Sequence, residues 1–131
     1  MKKIKFRKFE LESGNKILLG KNEKSNDELM KKFKGKENTI MHTSSPGSPF
    51  GVIEELNPSK NMIALSGAAV ASYSQDWRDN KKDVMVNVFN GKNISKRWWM
   101  KLGTWKIKKS GKIKVKKQDI INFEKNANNR K

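Results

Sequence analysis

The sequence has no cysteine and a single histidine, His42. Without thiols it can build neither a disulfide framework nor a thiolate metal site, and one imidazole cannot anchor a histidine-rich one. No apolar run approaches the ~20 residues that a helical membrane span needs. The basic residues 1–8 lead into no apolar signal region, so a cytoplasmic location is expected. The glycine-rich GxxxxGK loop that cradles nucleotide phosphates is missing, which leaves nucleotide hydrolysis unsupported. Acidic residues are scarce: 13 Asp and Glu stand against 30 Lys and Arg, a net charge of +17 over 131 residues. With 34% hydrophobic residues and a mean hydropathy of −0.87, the core must be compact and the surface heavily charged. Such an excess repels itself and favours a polyanionic partner. Nucleic acid comes first, an anionic membrane second, an acidic protein third.

The pattern along the chain mixes strands and helices. Ile4 and Phe6 alternate with basic residues, and the phase then slips so that Phe9 and Leu11 continue the alternation. The slip predicts a β-bulge near Arg7 and Lys8. Ser13-Gly14-Asn15 supplies a turn, and residues 16–19 return as a second strand. Ser25-x-x-Glu28 has the form of a capping box, with Leu29, Met30 and Phe33 as the apolar side of the helix and Gly35 as its stop. Residues 39–43 and 50–53 are short strands flanking the loop Ser44-Ser45-Pro46-Gly47-Ser48-Pro49. Ser59 caps a longer helix running to about Gln75, with Ile63, Val70 and Trp77 at heptad spacing. Ala64, Gly67, Ala68 and Ala71 slim one side of it for close packing on a sheet. Residues 83–89 are apolar on both faces and read as an interior strand. The chain therefore divides into one α+β domain over residues 1–124 and a disordered basic tail over 125–131. The domain is expected to be a mainly antiparallel sheet with one long helix on a face and a shorter N-terminal helix.

Two segments stand out for chemistry. Residues 104–116 read as a hairpin with a three-residue loop, Lys109-Ser110-Gly111, pairing Ile107 with Ile113 and Trp105 with Val115. Its other face then carries Lys106, Lys108, Lys112, Lys114 and Lys116. Opposed lysines destabilise one another, so this face makes most sense against a polyanion. The second segment is Trp98-Trp99 flanked by Lys96, Arg97 and Lys101, which joins stacking platforms to phosphate-seeking cations. As adjacent strand residues, one indole is expected inside and one outside. The loop around Gly47, Ser44 and Ser48 can turn amides and hydroxyls towards a phosphate, or it can simply turn the chain. His42 beside these serines lacks a converging third group, so it reads as structural or RNA-contacting rather than catalytic.

The middle of the chain resembles the NFACT-R domain, the RNA-binding module of the NFACT proteins. The resemblance rests on Gly14-Asn15-Lys16-Ile17-Leu18-Leu19-Gly20-Lys21-Asn22, followed by Ser25-Asn26-Asp27-Glu28-Leu29. It continues through His42-Thr43-Ser44-Ser45-Pro46-Gly47-Ser48, then Ala68-Ala69-Val70-Ala71-Ser72-Tyr73-Ser74 and Arg78-x-x-Lys81-Lys82. It implies binding of transfer or ribosomal RNA, with the large ribosomal subunit as a further partner. Roles in translation, ribosome quality control or RNA modification would follow, without catalysis and without a cofactor. The resemblance adds Lys21, Asn22, Asn26, His42, Ser44, Gly47, Ser48, Arg78, Lys81 and Lys82 to the candidate RNA contacts. The other class of reading is a basic adaptor docking on an acidic protein or anionic membrane surface.

Overall fold

The computed structural model describes residues 6–12 and 14–129; Ile4, Ser13, Arg130 and Lys131 lie outside it. The architecture is α+β. Six antiparallel strands form one sheet in the order β1-β2-β4-β3-β5-β8. These are β1 (Arg7–Glu12), β2 (Asn15–Leu19), β3 (Thr39–Thr43), β4 (Gly51–Ile53), β5 (Val84–Asn90) and β8 (Gly111–Val115). A separate two-stranded ribbon joins β6 (Ile94–Ser95) to β7 (Lys106–Ile107). Among the described residues there are four α-helices, α1 (Glu23–Phe33), α2 (Lys60–Ser72), α3 (Gln75–Asn80) and α4 (Lys117–Asn129), and a short 3-10 helix at Gly91–Asn93.

Alternation along the strands feeds two cores. Ile17, Leu19, Met41, Ile53, Val84, Val86 and Val115 meet α2, α3 and α4 through Met62, Val70, Trp77, Ile120 and Phe123. Leu18, Ile40, Val52 and Phe89 turn the other way, towards Leu29, Met30 and Phe33 of α1 and towards Ile94 and Trp105. Each fully buried side chain of this kind contributes roughly 1.5–3 kcal/mol. The double-sided burial explains the slip in β1. Phe6 packs with the α1 core, while Phe9 and Leu11 pack with the α2 core. The change of phase is a change of face, and no bulge falls at Arg7 or Lys8. The irregularity lies between Glu10 and Glu12, where Leu11 has no register partner.

The N-terminal helix starts earlier than its expected box. Asn22 is the N-cap: its side chain accepts from the Ser25 N–H at 2.8 Å, and Ser25 Oγ accepts from the Asn22 N–H at 3.0 Å. Ser25 is the third helical residue and not the cap, which frees Asp27 to turn inward. Ser59 caps α2 as expected. That helix ends at Ser72, because Ser74 Oγ takes the Trp77 N–H and starts α3. Trp77 still reaches the same core, from the shorter helix. The interior strand expected at residues 83–89 forms as β5, Val84–Asn90, although Met85 is partly open to solvent. At the C-terminal end, α4 continues through residues expected to form a disordered tail, with Ala127 packed on the α2 core.

The 104–116 hairpin does not form. β7 pairs with β6, placing Ile107 opposite Ile94, whereas β8 pairs with β5, placing Ile113 opposite Val86. Trp105 lies in the α1 core and Val115 in the α2 core. The chain thus crosses between sheets at residues 108–110, and the Lys108 N–H is taken by Asn93 O at 2.7 Å. Opposed lysines are absent too: Lys112 stands opposite Asn87, and Lys114 opposite Met85.

Candidate nucleic-acid interface

The first turn of α1 is the meeting point of three segments. One is the loop after β3. Thr43 N–H donates to Ser48 Oγ at 3.1 Å, and Thr43 Oγ1 donates to Ser45 O at 2.6 Å, folding the loop on itself. Gly47 has φ 91° and lies so close to Gln75 that a Cβ would come within 2.9 Å of that side chain. Its carbonyl accepts the Gln75 N–H at 2.7 Å, so the loop is fastened to α3. Pro49 and Phe50 then lead to α1, where Asn26 Oδ1 accepts the Phe50 N–H at 3.0 Å.

These fastenings enclose a groove of about 290 Å³. Lys21, Asn22, Asn26, Gly47, Ser48 and Arg78 line it, and so do Glu23, Arg7 and Tyr73. Arg7 and Tyr73 are not among the RNA contacts expected from the sequence, since one sits in a strand pattern and the other in a helix stripe. The Arg7 guanidinium lies 4.3 Å from the Tyr73 ring centroid, a cation–π contact. Arg78 donates to Tyr73 O at 3.1 Å and to Gln75 Oε1 at 3.0 Å, which aligns its guanidinium at the rim. Asn22 and Ser48 spend their side-chain acceptors on the fold, the first as a helix cap and the second on Thr43.

The second segment is the turn that carries the tryptophans. Met100 N–H bonds Arg97 O and Thr104 N–H bonds Lys101 O, each at 3.0 Å, giving two consecutive turns. Lys96 closes them: its Nζ donates to Lys101 O at 2.8 Å, to Thr104 O at 3.1 Å and to Asp27 Oδ1 at 2.5 Å. All three ammonium donors of Lys96 are thereby used inside the fold. Asp27 is 2% exposed and accepts further bonds from the Gly103 N–H and from Trp105 Nε1, both at 3.1 Å. Lys31 Nζ lies 3.3 Å from its other oxygen. Burial is the largest single influence on this carboxyl and opposes its charge. Hydrogen bonds from Lys96, Gly103 and Lys31 outweigh it and hold the group below the usual carboxylate range.

The result corrects the expected fate of Trp98 and Trp99. Both are exposed, at 92% and 63%, because the segment is a turn and not a strand, and Trp105 supplies the core indole instead. The two rings meet edge to face at 5.8 Å, and the Arg97 guanidinium stands 5.8 Å from the Trp99 centroid. Gly103, with φ 80°, brings this turn within a Cβ-contact distance of 3.2 Å from Glu23, on the α1 turn that lines the groove.

The third segment is the sheet face beside His42. His42 stacks at 4.5 Å from Phe50, and its Nδ1–H donates to Thr43 O at 2.9 Å. Burial pushes its pKa down, against the opposing effect of backbone hydrogen bonds, so the ring is neutral at pH 7. Ser44 Oγ donates to Asn87 Oδ1 at 2.8 Å, and Asn87 stands opposite Lys112. Lys81 and Lys82 lie apart from the groove, at the C-terminal end of α3, with Lys81 Nζ 4.6 Å from the Trp77 ring. Lys106 and Lys108 belong to the ribbon side. Among the described residues, no carboxylate lies within 4.0 Å of Arg7, Lys21, Arg78, Arg97 or Lys101.

The sequence matches the family described as the NFACT protein RNA binding domain over residues 5–109. The chain belongs to the NFACT RNA-binding domain family. No curated protein matches it. Its fold is similar to a solved structure of the C-terminal part of the fibronectin/fibrinogen-binding protein from Streptococcus suis, with a TM-score of 0.80 at 24% identity. That match covers 93% of this chain and 50% of the other, so the NFACT domain here spans half the length of that structure. The likeness supports the α+β fold, and the family supports RNA as the ligand. No helix among the described residues is long and apolar enough to cross a membrane.

Proposed function

We propose that this domain binds transfer or ribosomal RNA in the cytoplasm without catalysing a reaction, as part of translation or of ribosome quality control. The observation that carries the reading is the pair of exposed indoles on a turn locked to the first turn of α1. Bases unstacked from a loop or an end can lie on such rings, each worth roughly 1–3 kcal/mol. Arg7, Lys21, Arg78, Arg97 and Lys101 flank the same region with no carboxylate partner among the described residues, and so remain available to phosphates. Affinity comes mainly from these phosphate contacts, and preference for exposed bases comes from Trp98 and Trp99.

The test compares a structured RNA carrying a single-stranded end, a fully paired duplex and anionic phospholipid vesicles, each across a salt series. Strongest binding to the RNA with the free end, weakened in Trp98→Ala and Trp99→Ala, supports the reading. Equal binding to vesicles would favour a membrane-docking adaptor. Crosslinking in cells followed by sequencing of the bound RNA separates transfer from ribosomal RNA.

A further inference from the structure

Strand β8 is the last in the sheet, and no strand among the described residues pairs with its outer edge. The register tells which residues face outward there. The Ser44 N–H donates to Met85 O, so Met85 turns its peptide groups towards β3. Successive strand residues alternate sides, so Val84, Val86 and Val88 turn theirs towards β8. Their partners Val115, Ile113 and Gly111 answer them. Lys112 and Lys114 therefore aim their N–H and C=O groups away from the sheet, and among the described residues nothing takes them.

Beside this edge runs a trough of about 390 Å³ whose walls include Ile63, Ala64, Ile113 and Val115. Ile113, Lys114 and Val115 are consecutive in a strand and can line one trough together only along the strand's edge. Across from them, Lys60, Ile63 and Ala64 of α2 sit at helical spacing and overhang the place that a seventh strand would fill.

We propose that β8 accepts an extended peptide segment as an added strand, one that alternates apolar and acidic residues. Its backbone pairs with Lys112 and Lys114, its apolar side chains enter the trough, and its carboxylates meet the Lys112 and Lys114 ammonium groups on the opposite face. Both ammonium groups lie without a carboxylate within 4.0 Å among the described residues. Asp119, the acidic residue at the trough, lies on the side where the segment is apolar. A second copy of β8 would set lysines against lysines, which is destabilising. RNA has no use for an apolar trough. The trough lies across the sheet from the turn bearing Trp98 and Trp99, because α2 and α1 cover opposite faces, while the Lys112 and Lys114 side chains lie on the α1 face.

The experiment uses the full chain and a short blocked peptide alternating valine and glutamate, with a control peptide of the same composition in two blocks. The alternating peptide should bind, and should protect the Lys112 and Lys114 amides from hydrogen exchange. Lys114→Pro deletes one outward N–H and leaves the β5 ladder whole, so binding should fall at least about tenfold. Lys112→Glu with Lys114→Glu should do the same with no proline in the strand. Equal binding of the two peptides, full affinity in both variants, or protection confined to other amides would overturn the proposal. So would concentration-dependent dimerisation through β8, or RNA protecting these amides in the peptide's place.

Discussion

Lys96 and Asp27 are 69 residues apart in the chain, yet the ammonium of one lies 2.5 Å from the carboxylate of the other. The carboxylate is buried, and its remaining capacity is taken by Gly103, Trp105 and Lys31. This contact fixes the turn of Trp98 and Trp99 to helix α1. Removing the cation leaves a buried charge short of its closest partner, which typically costs about 3–5 kcal/mol. Lys96→Met should therefore lower the thermal midpoint clearly. It should also weaken RNA binding at temperatures where the variant is still folded, through loss of order in the turn.

Acid should expose the same carboxylate. The folded pKa of Asp27 is lowered, so its stabilising contribution is present above the unfolded value near ~3.9 and is lost as pH falls through the folded one. Asp27→Asn should be less stable at neutral pH and should show a flatter acid limb below about pH 4. Denaturant unfolding at a series of pH values measures both. Parallel acid limbs in the two proteins would remove Asp27 from the acid response.

His42 has the opposite kind of charge and also a lowered pKa. The unfolded chain takes up a proton first, so stability should decline as pH falls through about 6.5 and continue to decline down to the folded value. His42→Gln should abolish this decline. An unchanged slope in the variant would show that another group titrates there.

Three tryptophans should separate cleanly. Trp98→Ala and Trp99→Ala should each be close to neutral in thermal unfolding, yet cost about 1–3 kcal/mol in affinity for single-stranded RNA at fixed salt. Trp105→Ala should cost about 3–5 kcal/mol of stability. Full affinity in both exposed-indole variants would leave phosphate contacts as the sole mechanism.

Salt sets the scale of those contacts. About five phosphates neutralised by the cations around the groove and turn imply a slope of −0.7 to −0.9 each, and roughly a hundredfold or greater loss between ~50 and ~200 mM salt. A flat response in a titration of RNA affinity against salt would refute an electrostatic interface.

Local signals in the sequence carried a good part of this structure. Ser59 announced its helix, the apolar residues 83–89 announced an interior strand, and Gly35 marked a helix end, because each is decided by nearest neighbours. Residues 104–116 misled for a related reason. A period of two says that side chains alternate, but not to which sheet a strand belongs, and here the two halves join different sheets. Trp98 and Trp99 read as strand residues because nothing local betrays that a lysine two residues earlier closes a double turn. Asp27 looked like an ordinary first-turn acid, since its donors come from residues 96–105. The groove was half legible: Lys21, Asn22, Asn26, Gly47, Ser48 and Arg78 fall in the motif segments, while Arg7 and Tyr73 meet only through the pairing of β1 with β2 and the end of α2.

The final strand and helix contribute Val115, Ile120 and Phe123 to the core beneath α2, although the family match ends at residue 109. During synthesis the first four strands and α2 are complete long before those side chains leave the ribosome. Until then α2 shows water an apolar surface that nothing covers, and β5 has an unpaired edge. The stretch from β8 to α4 is thus the step that closes the molecule. A chain interrupted just before it would be released with its strand edge and an apolar face of α2 both bare, and so prone to aggregate or to be degraded.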